Sequence, residues 1–97
     1  MKILALEKEL KKVRTSDFKK YANEEAKVLW KLYIEGTVRE FYFRKNENLA
    51  VLILEAKSKQ AAEKTLMQLP FVSRKLIEFE IIPLKSYPGF ARLFVHN

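Results

Sequence analysis

Within "YANEEAKVLWKLY" (residues 21–33), Glu25 occupies a position where helical spacing calls for an apolar side chain. At about 100° per residue, Phe18, Ala22, Leu29, Leu32, Tyr33 and Gly36 fall within roughly 60° of a common direction, and Glu25 lies within about 20° of its centre. A carboxyl held among apolar groups has its charged form disfavoured and its pKa raised, the tuning that a general acid or base needs near neutral pH. The alternative is a structural ion pair. Arg39 follows the helix-ending Gly36 by three residues, and its strand parity would put it on the helix side of a sheet, opposite Glu25.

A second polar set lies on two stretches that read as strands. In residues 37–45, Val38, Glu40 and Tyr42 alternate with Arg39, Phe41 and Phe43; in residues 76–84, Glu78 and Glu80 alternate with Ile77, Phe79 and Ile81. The bulkier apolar sets belong under the helices. Glu40, Tyr42, Glu78 and Glu80 are then left on the opposite face, either lining a polar pocket or wetted at the rim of a sheet.

Other chemistries find few residues to carry them. There is no cysteine, the only histidine is His96 beside the C-terminus, and the only glycines are Gly36 and Gly89. A thiolate nucleophile, a His or Cys metal centre and a Gly-rich phosphate loop are all excluded, so no metal is expected. The net charge of +7 is concentrated in "KKVRTSDFKK" (residues 11–20), which reads as a solvated loop. A nucleic-acid surface needs basic residues interleaved with aromatics, and "LAVLILEA" lacks the stacking aromatics of an RNA-recognition strand, so no nucleic-acid partner is expected. The N-terminal "MKILALEKEL" is charged too early for a signal peptide, and no apolar run approaches the length of a membrane span. A cytoplasmic protein with no membrane partner is the expectation.

The elements that must position these residues follow from patterning and punctuation. "KILALEKE" (2–9) predicts a strand; residues 16–35 predict a helix with Thr15 or Ser16 as its cap and Gly36 at its end. "TVREFYFRK" (37–45), the turn "NEN" and "LAVLILEAK" (49–57) predict a hairpin. Ser58 caps a second helix that Pro70 is expected to close, and "LIEFEIIPL" (76–84) predicts the last strand. The order is βαββαβ. Across residues 1–97 this gives a single α+β domain of ferredoxin-like arrangement, an antiparallel four-stranded sheet with two helices on one face.

The other face of that sheet would lie bare. In the third strand Leu49, Val51 and Ile53 point one way and Ala50, Leu52 and Leu54 the other, so both faces are apolar, whereas an open antiparallel sheet normally alternates apolar with polar. A second copy of the chain is the simplest cover. The expected partner is therefore the chain itself, in a face-to-face homodimer forming a dimeric α+β barrel. The aromatic tail "YPGFARLF" (87–94) is expected to dock on a neighbouring subunit or to close a pocket mouth.

Taken together, Glu24-Glu25 through Gly36, "TVREFYFRKNENLAVLILEAKS", "LPFV", "EFEIIPL" and Tyr87-Pro88 resemble the muconolactone isomerase family, over about two thirds of the chain. The resemblance implies a dimeric α+β barrel, a higher ring-like assembly, and a proton shift within an unsaturated lactone that needs no cofactor. It further implies that Glu25 or a barrel carboxylate moves the proton and that Arg39 stabilises the enolate or anchors a carboxylate. Glu40, Tyr42, Glu78 and Glu80 would contact substrate. The competing expectation is a non-catalytic small-molecule-binding or assembly module on the same scaffold.

Overall fold

The computed structural model describes residues 1–8, 10 and 14–95; the first part of the basic run and the reading of His96 fall outside them. The elements run β1 (Lys2–Lys8), α1 (Thr15–Ile34), β2 (Val38–Phe43), β3 (Ala50–Glu55), α2 (Lys59–Leu66), α3 (Pro70–Ser73), β4 (Glu78–Pro83) and a short 3-10 helix (Gly89–Phe94).

Local chemistry sets the ends of these elements. Neither Thr15 nor Ser16 caps α1: both lie inside it, and the Asp17 carboxylate folds back to accept the Arg14 N–H at 3.3 Å. At its far end Gly36 adopts φ +81°, so that its own N–H reaches the Tyr33 carbonyl and the Thr37 N–H reaches that of Leu32. This left-handed closure is the one for which glycine has no steric cost. Ser58 caps α2 as expected, its hydroxyl accepting the Ala61 N–H at 3.1 Å. Pro70 does not simply close that helix. α2 ends at Leu66, and Pro70 opens the additional short helix α3 from its first position, where a missing N–H costs nothing.

All neighbouring strands are antiparallel, in the order β2-β3-β1-β4. With the βαββαβ order of the main elements this is the ferredoxin-like arrangement. Register explains which face is covered. Ile3 pairs with Leu54 and Ala5 with Leu52, and all four are buried in one cluster with Leu32 of α1, Ala62 and Leu66 of α2, and Leu69. Both long helices therefore pack on the same side of the sheet.

One expectation of parity fails in β2. A register shift between Val38 and Glu40 lets Val38 pair with Leu54 on the helix side, where it is fully buried, while Arg39 becomes the extra residue of a bulge and is exposed. Beyond the bulge, Phe41 and Phe43 remain on the helix side and Glu40 and Tyr42 on the other, as expected. The stripe on α1 also differs from its expected membership. Ala22 and Tyr33 are exposed, and Val28 packs against the core beside Leu29 and Leu32.

The outer face keeps its apolar centre. Leu4 pairs with Ile53 and Ile82, and Leu6 with Val51, all half-buried and with no helix over them among the described residues. The chain also extends well beyond a sphere of its length. Its radius of gyration is 16.3 Å, against about 12.5 Å for a compact domain of this size. From Leu84 to Val95 every residue but Gly89 is exposed, with Phe90, Leu93 and Phe94 at 67%, 74% and 75% of their surface.

Candidate functional site

Glu25 stands at the middle of α1 because the helix must lay its core face on the sheet, and its side chain points toward α3 rather than toward the β2 edge. The reason lies in how α3 begins. Its cap residue is Leu69, whose side chain accepts no hydrogen bond, and its first residue is Pro70. The N–H of Phe71 is thus a first-turn donor with no helical acceptor. Glu25 supplies the acceptor: its Oε1 takes the Phe71 N–H at 2.9 Å, across 46 residues of sequence.

This bond sets one wall of a cavity of about 550 Å³ between α1, α3 and the sheet, lined by Phe18, Leu29, Phe43, Leu52, Phe71 and Phe79 among others. Phe18 and Phe71 meet edge to face, their ring centres 5.2 Å apart. The polar residues lining it are Glu7, Glu25, Thr15 and Asn48. Glu7 reaches the cavity because its parity in β1 matches that of Ile3 and Ala5, and its Oε1 accepts the Ala50 N–H at 2.9 Å.

Burial pushes the Glu25 carboxyl above its ordinary pKa of 4.5. The Phe71 N–H, which favours the ionised form, pulls it partly back, and the charge of Glu7 pushes it further up. A half-buried acid with a raised pKa, in an apolar cavity large enough for a small organic molecule, can take up and return a proton.

The other expected site residues lie elsewhere. The Glu25–Arg39 pair is not formed: Arg39 sits in the exposed bulge, makes no ion pair with any described residue, and does not line the cavity. Glu40, Tyr42, Glu78 and Glu80 share the outer face, with the sheet between them and the Glu25 cavity. They are also split between β2 and β4, at opposite edges. Within a single chain they cannot form one pocket. Tyr42 donates to the Glu40 carboxylate at 2.7 Å, and that hydrogen bond raises the phenol's pKa. Glu7, Thr15 and Asn48 were missed by the sequence reading. The parity of Glu7 with Ile3 and Ala5 was the available signal; nothing local marks Thr15 or Asn48. Among the described residues no group of His, Cys, Asp and Glu side chains is arranged to hold a metal ion, and no helix is long and apolar enough to cross a membrane.

Two substitutions separate the acceptor role of Glu25 from its acidity. Glu25→Gln keeps an oxygen for the Phe71 N–H, whereas Glu25→Ala strands that donor and is expected to be less stable than the Gln variant by about 1 kcal/mol. The pH dependence has a definite sign. With a folded pKa above the unfolded one, the native state binds the extra proton, so stability falls as pH rises from 4.5 through the folded pKa and levels above it. Urea unfolding across this range should show that fall in the wild type and its loss in Glu25→Gln.

No protein-family model matches the sequence, and no curated protein matches it. Among solved structures, the chain is similar to muconolactone isomerase, whose crystal structure was determined at 3.3 Å resolution. The two align with a TM-score of 0.73 and 21% sequence identity, over 92% of this chain and 93% of the other. At that identity the likeness bears on backbone architecture and not on chemistry. The chain has a muconolactone isomerase-like fold.

Proposed function

We propose that this chain is a cofactor-free isomerase that moves a proton within a small unsaturated carbonyl compound such as a lactone, with Glu25 as its acid and base. The observation that carries this reading is the Glu25 carboxyl, raised in pKa and facing an apolar cavity of about 550 Å³. In the proposed step the Glu25 carboxylate removes a proton from the carbon next to the carbonyl, and the electron pair left behind delocalises as a dienolate. The protonated Glu25 then returns the proton two carbons further along. The double bond shifts and the molecular formula is unchanged.

The developing charge on the carbonyl oxygen needs a donor, the role that the family resemblance would give to Arg39. With Arg39 in the exposed bulge, Asn48 and Thr15 are the neutral lining residues whose side chains carry a donor for it. Muconolactone isomerase, a protein that shares the backbone architecture, carries the name of an isomerase.

The second reading, an assembly module, rests on a separate observation. Leu4, Leu6, Val51, Ile53 and Ile82 form an apolar field on the outer face, flanked by Glu40 and Tyr42 on one edge strand and Glu78 and Glu80 on the other. A second sheet laid on this field would bury it and make the dimeric α+β barrel, each buried aliphatic side chain contributing about 1.5–3 kcal/mol. The exposed aromatic tail would add a further contact between subunits. The two readings are compatible, because the Glu25 cavity lies on the opposite side of the sheet from the proposed interface.

For the enzyme reading, a γ-methyl butenolide with its double bond out of conjugation is followed by proton NMR in D₂O. The wild type should shift the double bond and incorporate deuterium, and Glu25→Gln should be slower by at least about a hundredfold. Equal rates in the two proteins would reject Glu25 as the base. For the assembly, sedimentation equilibrium should give a dimer or larger for the wild type and a folded monomer for the double variant Val51→Lys, Ile53→Lys. Leu52 and Leu54 are unsuitable for this test because they lie in the core under the helices. A monomeric wild type would reject the interface.

A further inference from the structure

A second cavity, of about 760 Å³, lies on the helix side of the sheet between α2, α3 and β4, where Leu66, Met67, Val72 and Ile81 are among its lining residues. Ile77 and Phe79, at the entry to β4, line both this cavity and the one that holds Glu25. We propose that the two cavities are compartments of one ligand site, divided by Phe79, which limits how far a hydrocarbon substituent on the ligand extends from the Glu25 carboxyl. The inference rests on the enzyme reading above, because it takes the carbonyl end of the ligand to lie beside Glu25.

The dividing wall comes from one short stretch of chain. Phe71 of α3 lines the Glu25 compartment, whereas Val72 and Ser73, next along the same helix, line the other. The backbone then turns back: Lys75 takes φ +61°, a left-handed conformation uncommon for a residue with a side chain, and its N–H reaches the Val72 carbonyl at 3.0 Å. That turn brings the N–H groups of Leu76 and Ile77 to the single carbonyl of Phe71, at 2.8 and 3.0 Å. α3 is thus tied to the entry of β4, and the Phe71 N–H ties it to Glu25 of α1. With its backbone pinned on both sides, the wall varies through its side chains. Ile77 is buried in the core, while Phe79 is half-buried and on the helix side of β4, which makes Phe79 the shared side chain that a ligand can meet.

The ligand class follows from what lies on either side. Leu66, Val72 and Ile81 give the second compartment an aliphatic surface, and the exposed Met67 adds a side chain that adapts its shape to a neighbour. Its charged lining residues among those described, Glu63, Lys75 and Glu78, are all exposed. An alkyl chain gains by burial against such a surface, but from the Glu25 compartment it must first pass Phe79. A carbonyl compound with a short substituent needs only the first compartment, and that is the class the intact wall selects.

The test titrates two saturated γ-lactones, one with a methyl and one with an octyl substituent, into the isotope-labelled protein. The Phe71 amide reports on the Glu25 compartment, and the amides of Met67 and Ile81 report on the other. In the wild type both lactones should shift Phe71 and leave Met67 and Ile81 in place. In Phe79→Ala the octyl lactone should shift all three, and its affinity relative to the methyl lactone should rise at least about fivefold. Phe79→Leu, which keeps aliphatic packing in the core, should change in the same direction by less. An octyl lactone that shifts Met67 and Ile81 of the wild type as strongly as Phe71 would overturn the inference, as would an affinity ratio in a folded variant equal to that of the wild type; either result leaves the enzyme reading standing. If the methyl lactone does not shift Phe71 at millimolar concentration, the Glu25 cavity is not a ligand site, and the enzyme reading falls together with this one.

Discussion

The hydrogen bond from the Phe71 N–H to Glu25 is the constraint around which the helix side of this molecule is arranged. It exists because α3 starts with a proline after a leucine, so the first turn has a donor that the local sequence cannot satisfy. Glu25 meets that need from the middle of α1. The acid is thereby drawn to the core-facing side of its helix and held beside Phe18 and Phe71, whose edge-to-face contact closes the wall around it. One bond thus ties α1 to α3 and fixes the position of the carboxyl at the cavity wall.

The competition at Glu25 also explains why this acid is tuned rather than simply neutralised. Burial and the charge of Glu7 favour the protonated form, while the Phe71 N–H favours the ionised one. A guanidinium in contact would have tipped the balance far toward the anion and lowered the pKa. No such contact forms: the bulge in β2 gives Val38 the buried place in the core and leaves Arg39 exposed.

The elements were largely legible in the sequence because they are governed by local rules. Gly36 marks the end of α1, Ser58 the start of α2, and the alternation in residues 76–84 correctly assigns Phe79 and Ile81 to the helix side and Glu78 and Glu80 to the other. Glu25 was recognisable as an acid in an apolar stripe. Its partner was not, since a backbone N–H 46 residues away leaves no trace in side-chain patterning. The bulge at Arg39 was equally hidden: strict alternation carries Val38 to the wrong face, and only the pairing with β3 reveals the extra residue. Pro70 was ambiguous for a physical reason. The same ring that forbids continuation of one helix is favoured at the first position of the next.

Two surfaces give this chain its character, the helix-side cavity and the apolar outer face, and the sheet separates them. The claim on which the account most depends is that the protein environment holds Glu25 above its ordinary pKa. Carbon-13 NMR of the Glu25 side-chain carboxyl, followed against pH in the wild type and in Glu7→Gln, reads that quantity directly. The account predicts a midpoint above 4.5 in the wild type that moves down when the charge at position 7 is removed. A midpoint at or below 4.5, unchanged by Glu7→Gln, would contradict it.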